Sequence, residues 1–451
     1  MKFRKFGRTL LMAALSAGVL FGFVSCTQSF TVGYLYVTGL NTANPGGEGL
    51  ISGFKIDHNT GKLTPLHGLP VSSGGANPSR AVLIGSGRFL YVLNQGVTAS
   101  GGVNCTVVDP CLGGNVSHFV IGGNGILTFQ QSFTMQGVNP FRMISDPIGN
   151  YLLILQQVAP LPASADTIAA CTAVVSTPTC GAISAYRINA ATGRLSLIQN
   201  AQLTAGSNSL PLTYFPVPQN PIDFVLASNT VLTIAAPSTA PGDVYFPYSF
   251  SAGQLVENAY SVGTNILTNG NGSPVQAATA IVQAANYVYV LDNEPLAGSN
   301  AISQILPYTV GGGALTSVVG GVVANDPSLS DPVSLIQEAK GGYLYVINDA
   351  PGSAVGSPAS GITNFVVDRT SHQLTPNAPP TTGSGASPRC ILEDPSNQFM
   401  YTANYGDSTV TAYSLDPNRG ILRNLQGKDT PLTSFALPGP GTWCVSTGRT
   451  N

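Results

Sequence analysis

Three arginines and one aspartate recur at one place in a repeated pattern. Arg80, Arg142 and Asp223 each lie two residues after a proline: Pro78, Pro140 and Pro221. The same count from Pro274, Pro332, Pro388 and Pro440 gives Gln276, Ser334, Cys390 and Thr442, and Arg389 directly follows Pro388. A guanidinium presents a planar fork that suits carboxylate or phosphate. Arg80, Arg142 and Arg389 on one rim, with Asp223, Gln276 and Ser334, would therefore suit a small anionic ligand. Acid–base chemistry has fewer candidates. Asp223 is the carboxylate of the series, with Glu393 further along its strand, and His118 is the one histidine of interest. A catalytic reading rests on Arg142, Asp223 and His118. In the opposing reading the arginines pair with Asp223 or with backbone carbonyls and merely satisfy a polar wall, and His118 is structural. The sequence has no Gly-x-Ser-x-Gly elbow, no His-Glu-x-x-His and no phosphate loop.

The elements that must position these residues are short strands. Gly342 to Asn348 encloses Tyr-Leu-Tyr-Val-Ile, an aromatic and β-branched run bounded by turn residues. Tyr34–Val37, Phe89–Val92, Tyr151–Ile154, Val231–Ile234, Tyr287–Val290 and Phe399–Thr402 occupy the same slot. Their third residues fall at 36, 91, 153, 233, 289, 345 and 401, so the period is near 56 with two longer steps. Each repeat holds a Pro-led first strand, this second strand, a third, and a fourth after a turn such as Asp57-His58-Asn59-Thr60-Gly61. Asp or Asn opens that turn through its own backbone and Gly takes the φ > 0 position. His58 and His372 sit in such tips.

Four antiparallel strands repeated seven times predict an all-β, seven-bladed β-propeller over residues 33–449. The first blade lacks its Pro-led strand, and a run of that kind appears at Pro440–Val445. The C-terminal strand is therefore expected to pair with the N-terminal blade and leave no open edge. The loops between second and third strands then share a face with the polar series. Three are long: Gln95–Asn115, Gln157–Gly181 and Asp349–Ser360. An Asn/Asp fringe, including Asn94, Asp292, Asn293, Asn348, Asp349, Asn404 and Asp407, lies beside them. A concave mouth with a few polar groups is the default ligand site.

The start of the chain reads as an address. Lys2, Arg4, Lys5 and Arg8 precede an apolar run from Leu10 to Val24, then Ser25-Cys26. Residues 1–25 read as a secretory signal peptide. Phe23-Val24-Ser25-Cys26 resembles a bacterial lipobox, which would lipidate Cys26, make residues 26–32 a tether, and anchor the chain without spanning the bilayer. The alternative is ordinary cleavage with Cys26 free. Without residues 1–25 the chain carries 14 basic against 20 acidic side chains, a net charge of −6. That leaves no basic patch for nucleic acid. Charged residues make up only 8% of the chain, which fits turn-rich β structure in the cell envelope, on its periplasmic or extracellular side. Beyond Cys26, six cysteines permit three disulfides in an oxidising compartment: the local pairs Cys105–Cys111 and Cys171–Cys180 are expected, and Cys390–Cys444 would join two late runs if their geometry allows it. A zinc site is disfavoured, since no Cys-x-x-Cys occurs. No cofactor is expected, and the chain is expected to be a monomer.

With its repeats laid out, the sequence resembles the lactonase seven-bladed propeller family and the related YVTN-repeat surface propellers. The Tyr-Leu-Tyr-Val copies, Phe399-Met400-Tyr401-Thr402-Ala403-Asn404, the Asp-x-x-Thr-Gly-x-Leu turns and the Pro-led strands carry the likeness over nearly all of residues 30–449. The family includes 6-phosphogluconolactonase and a muconate lactonising enzyme. The resemblance implies chemistry with His, Arg and Glu at one mouth of the channel. Pro388-Arg389 matches the family's Pro-Arg step, but Cys390 stands where a histidine often follows. Two readings remain. One is a non-catalytic propeller lipoprotein that presents its mouth to a small anionic ligand or an envelope protein. The other is a lactone hydrolase acting on an anionic lactone.

Overall fold

The computed structural model describes residues 30–106, 108–160, 164–205, 210–258, 264–269, 272–284, 287–293, 303–318, 329–349, 360–371, 373–425 and 434–448. Residues 1–29 with Cys26, His372 and most of the Asp349–Ser360 loop lie outside them. Seven antiparallel sheets form a seven-bladed β-propeller. The inner strands of blades 2 to 7 are Pro78–Ile84, Val138–Ser145, Pro221–Ala227, Ala278–Ala284, Pro332–Gln337 and Pro388–Glu393. Blade 1 takes its inner strand from the far end of the sequence. Gly441–Gly448 pairs with Thr31–Gly39, with Val445 opposite Tyr36 and Cys444 opposite Val37. This is the closure that the displaced Pro-led run anticipates.

The period-2 pattern of the second strands explains how blades stack. Alternate side chains on a strand point to opposite faces. Tyr34 and Tyr36 therefore face blade 2, while Leu35 and Val37 face blade 7. Among the described residues the core divides into seven apolar clusters, one at each interface between neighbouring blades. The third–fourth turns have the expected chemistry. Asp57 Oδ1 accepts the amides of Asn59 and Thr60, and Asp416 Oδ1 accepts those of Asn418 and Arg419. The glycines have φ near +65°, at Gly61 and Gly420.

These two repeated signals meet across the interfaces. The tyrosine hydroxyl of one blade donates to the turn-glycine carbonyl of the next: Tyr36 to Gly125 (2.7 Å), Tyr345 to Gly420 (2.8 Å), Tyr401 to Gly61 (2.7 Å), and Tyr91 to Gly193. Each glycine also lies flat against an aromatic ring. A Cβ on Gly61 would fall 2.3 Å from Phe399, and one on Gly420 2.2 Å from Tyr343.

Both expected local disulfides form, and so does Cys390–Cys444, which the sequence leaves open; the Cα–Cα distances are 5.1 Å for Cys105–Cys111, 5.5 Å for Cys171–Cys180 and 5.8 Å for Cys390–Cys444. The last ties the inner strands of blades 7 and 1. The sequence reading treats Gln157–Gly181 as loop, but the structure builds a helix there, α1 (Ala165–Val175). Ser164 caps it by accepting the Thr167 amide at 3.1 Å, and Ser176 ends it at φ 60°. Thr167, Ala170, Cys171, Val174 and Val175 form its buried stripe. The Cys171–Cys180 bond fastens that stripe to the start of the third strand of blade 3.

Candidate functional site

The inner strands place the polar series at one end of the channel. Each begins with a β-bulge: Pro78 pairs with Asn94, but Arg80 pairs with Leu93. The same step puts Arg142, Asp223, Ser334 and Cys390 at equivalent positions. Two expected members are displaced. In blade 5 the bulge lies between Ala278 and Ala280, so Ala280 and not Gln276 holds the ring position. Gln276 is exposed ahead of the strand and donates to the Pro241 carbonyl at 2.6 Å. Pro274, from which it was counted, makes only an isolated bridge with Thr268. In blade 1 Gly441 pairs with Gly39 and Trp443 with Thr38, so Trp443 replaces Thr442. The corrected ring is Arg80, Arg142, Asp223, Ala280, Ser334, Cys390 and Trp443.

A cavity of about 340 Å³ opens inside this ring. Arg142 Nε donates to Asp223 Oδ1 at 3.0 Å across blades 3 and 4. Asp223 also accepts the Phe224 amide at 2.9 Å and the Ile281 amide at 3.3 Å, so both its oxygens are engaged. Arg389 turns outward, pairing with Asp349 at 2.9 Å beside the ring of Tyr405. Arg80 differs from both. Its guanidinium carbon lies 4.0 Å from the centroid of Trp443, and Nη1 donates to the Ser79 carbonyl at 2.8 Å. Among the described residues it has no carboxylate partner within ion-pair distance. Burial, and then Arg142, push its pKa well below the usual guanidinium value; Asp223 opposes them and Arg389 adds to the fall. The group still stays protonated. Its cost is that of an uncompensated, half-buried cation.

His118 belongs elsewhere. It is fully buried in the third strand of blade 2, stacked on Tyr91 at 5.0 Å, and its Nε2 faces Gly193 of blade 3. Among the described residues neither ring nitrogen has a hydrogen-bond partner, and burial lowers its pKa to about 4. It is part of the interblade packing and does not join Arg142 and Asp223. Glu393 accepts the Ala339 amide at 2.8 Å towards the other end of the channel, and burial raises its carboxyl. Much of the Asn/Asp fringe also turns inward. Asn94 donates to Ser117, Asn348 to Thr363 and Asn404 to Thr411, each clasping the second strand to the third within a blade.

A separate recess of about 190 Å³ lies between the loops of blades 1 and 2, lined by Leu40, Pro45, Gly46, Asn77, Val103 and Pro440 among others. It presents no charged side chain. Among the described residues no group of three His, Cys, Asp or Glu could hold a metal ion, and no helix is long and apolar enough to cross a membrane.

The model of the lactonase seven-bladed β-propeller family matches residues 308–431. No curated protein matches the sequence. Among solved structures, the periplasmic gluconolactonase PpgL of Pseudomonas aeruginosa is 17% identical with a TM-score of 0.59, covering 93% of this chain and 100% of its own. Two candidate 6-phosphogluconolactonases are similar at 14% identity. The one from Bacteroides fragilis has a TM-score of 0.59 and covers 94% and 99% of the two chains. The one from Bacteroides uniformis has a TM-score of 0.61 and covers 93% and 100%. At such identities the likeness is one of fold. The chain thus has the seven-bladed propeller fold of the lactonase type and, over residues 308–431, the sequence pattern of that family.

Proposed function

We propose that the protein is an exported lactonase-fold propeller lipoprotein that binds a small anionic ligand at the loop-rich mouth of its channel. The observation that carries this reading is Arg80. Arg142 and Arg389 each face a carboxylate, whereas Arg80 faces the cavity with one carbonyl acceptor and an aromatic platform. A carboxylate or phosphate there would relieve the repulsion among the three guanidinium groups. Export is supported by the basic and apolar leader, by three disulfides, and by the fold likeness to a periplasmic protein.

The family match favours a second reading, hydrolysis of an anionic lactone, with Arg80, Arg142 and Arg389 holding the substrate and Asp223 as base. The engagement of both Asp223 oxygens and the remoteness of His118 weigh against it. A general base must reach the proton it takes. The test combines calorimetric titration of the purified protein with small carboxylates and sugar phosphates, and pH-stat assays on the matching lactones. Anion binding that disappears in Arg80→Ala, without turnover, is expected. Turnover lost in an Arg80→Ala/Arg142→Ala double variant would replace this reading with the hydrolase.

A further inference from the structure

We infer that the ligand of the channel mouth is an amphipathic acid, whose carboxylate meets Arg80 while an aliphatic or aromatic body descends into an apolar collar. This inference rests on the anion-binding reading above. The collar lies two residues beyond the ring on every inner strand. Those positions are Val82, Ile144, Val225, Val282, Ile336, Leu392 and Val445, and all seven are apolar. Their registers match: Val82 pairs with Tyr91, Val282 with Tyr289, Ile336 with Tyr345 and Val445 with Tyr36. Residues two apart on a strand share a face, so the collar stands about 7 Å below the ring on the same side. Six of the seven are half-buried. Each packs one side into an interblade cluster and leaves the rest uncovered. Ile144, Val225, Val282 and Ile336 line the same cavity as Arg80.

A sugar acid would place hydroxyls against these side chains, which offer no hydrogen-bond partner, and would leave them only the few polar groups of the same cavity, such as Ser334 and Gln283. A hydrocarbon body would instead release water from an apolar wall. The cavity, about 340 Å³, falls in the range of small-molecule sites. Charge at the rim and hydrocarbon below therefore specify the two ends of one ligand. If the collar only sealed the channel, anion affinity would be indifferent to what the acid carries.

The experiment is calorimetric titration of the purified protein with butanoate, hexanoate and octanoate, each below its micelle concentration, and with gluconate. Affinity should rise about threefold to fourfold per added methylene until the collar is filled, with gluconate the weakest. Arg80→Gln should weaken every acid alike. Val282→Asn should flatten the chain-length series, and Val282→Ala, a milder change, should reduce the slope if the polar variant folds poorly. A flat series, or gluconate binding as tightly as octanoate, would overturn the amphipathic ligand and leave the anion site standing. Failure of every acid to bind a folded protein would remove the anion reading itself.

Discussion

The seams between blades are of two kinds. At four of them, blades 1–2, 2–3, 6–7 and 7–1, a second-strand tyrosine crosses to the turn glycine of the next blade. At the other three the same slot holds Leu153, Thr233 and Tyr289, and among the described residues no such bond is made. Blades 3 and 4 meet instead through a large apolar cluster including Leu153, Phe215, Phe224 and Phe246, with Tyr151 edge-on to Phe250, and through bonds of their own, Arg142 to Asp223 and the Tyr248 hydroxyl to the Pro216 carbonyl at 2.6 Å. Thr233 buries its hydroxyl without a hydrogen-bond partner. The arc that closes the ring is therefore fastened by the repeated tyrosine–glycine bond and a disulfide, while the arc that supplies most of the cavity wall replaces that repeat with apolar contact and individual bonds such as Arg142 to Asp223 and Thr279 to the Pro332 carbonyl. Regular spacing does not imply regular chemistry. The slots at 233, 289, 345 and 401 are evenly spaced, yet among the described residues only the last two make the crossing bond.

The largest test of this difference is at the turn glycines. Gly420→Ala would force a Cβ into Tyr343 at positive φ, and should cost about 2–5 kcal/mol as strain plus overpacking. Gly312→Ala, in the corresponding turn of blade 5, has positive φ but nothing within 4 Å, and should cost only about 1–2 kcal/mol. Equal losses in denaturant melts would erase the distinction. Next comes the closing disulfide. Cys390→Ser/Cys444→Ser opens a loop of 54 residues and should cost about 4 kcal/mol, against about 2 for Cys105→Ser/Cys111→Ser with a separation of 6.

A pH effect is expected at the blade 2–3 seam. The folded protein holds His118 at about 4, below the free imidazole value of 6.5, so the unfolded chain binds the proton more readily. Stability is full above pH 6.5, falls as pH drops towards 4, and levels off below it, with a loss of about 3 kcal/mol. His118→Leu should flatten that stretch of the stability–pH curve; an unchanged slope would place the titration elsewhere. The smallest effects separate the two kinds of seam directly. Tyr401→Phe leaves a buried carbonyl without its donor and should cost about 1–2 kcal/mol, whereas Thr233→Val removes a hydroxyl that has no partner and should be neutral or stabilising.

Much of the fold was legible because its signals are local. A strand pattern, a turn glycine and a Pro-led run each announce themselves within ten residues, and the C-terminal closure follows from counting them. The tyrosine and the glycine were both visible, but the bond between Tyr401 and Gly61 joins positions 340 residues apart. Candidate site residues were legible only where the Pro-led strand kept its proline. Blade 5 has none at the bulge, so counting from Pro274 reached Gln276 instead of Ala280. In blade 1 the proline lies one residue earlier, before Gly441, so the count fell on Thr442 instead of Trp443. The fringe asparagines looked like rim groups because side-chain direction at a strand end depends on the third strand beside it. Helix α1 was hidden by its short length within a Gly/Pro-bounded insertion, although Ser164 before an alanine-rich run was a readable cap.

The strand Gly441–Gly448 is synthesised after every other blade, yet it lies innermost in the first. Until it arrives in the folding compartment, Thr31–Gly39 is a bare edge, and the earlier blades form an open arc exposed to mispairing. The same strand brings Trp443, the platform under Arg80. A partly made or nicked chain could thus hold all three arginines and still lack the site, so ligand binding would report that the ring had been finished.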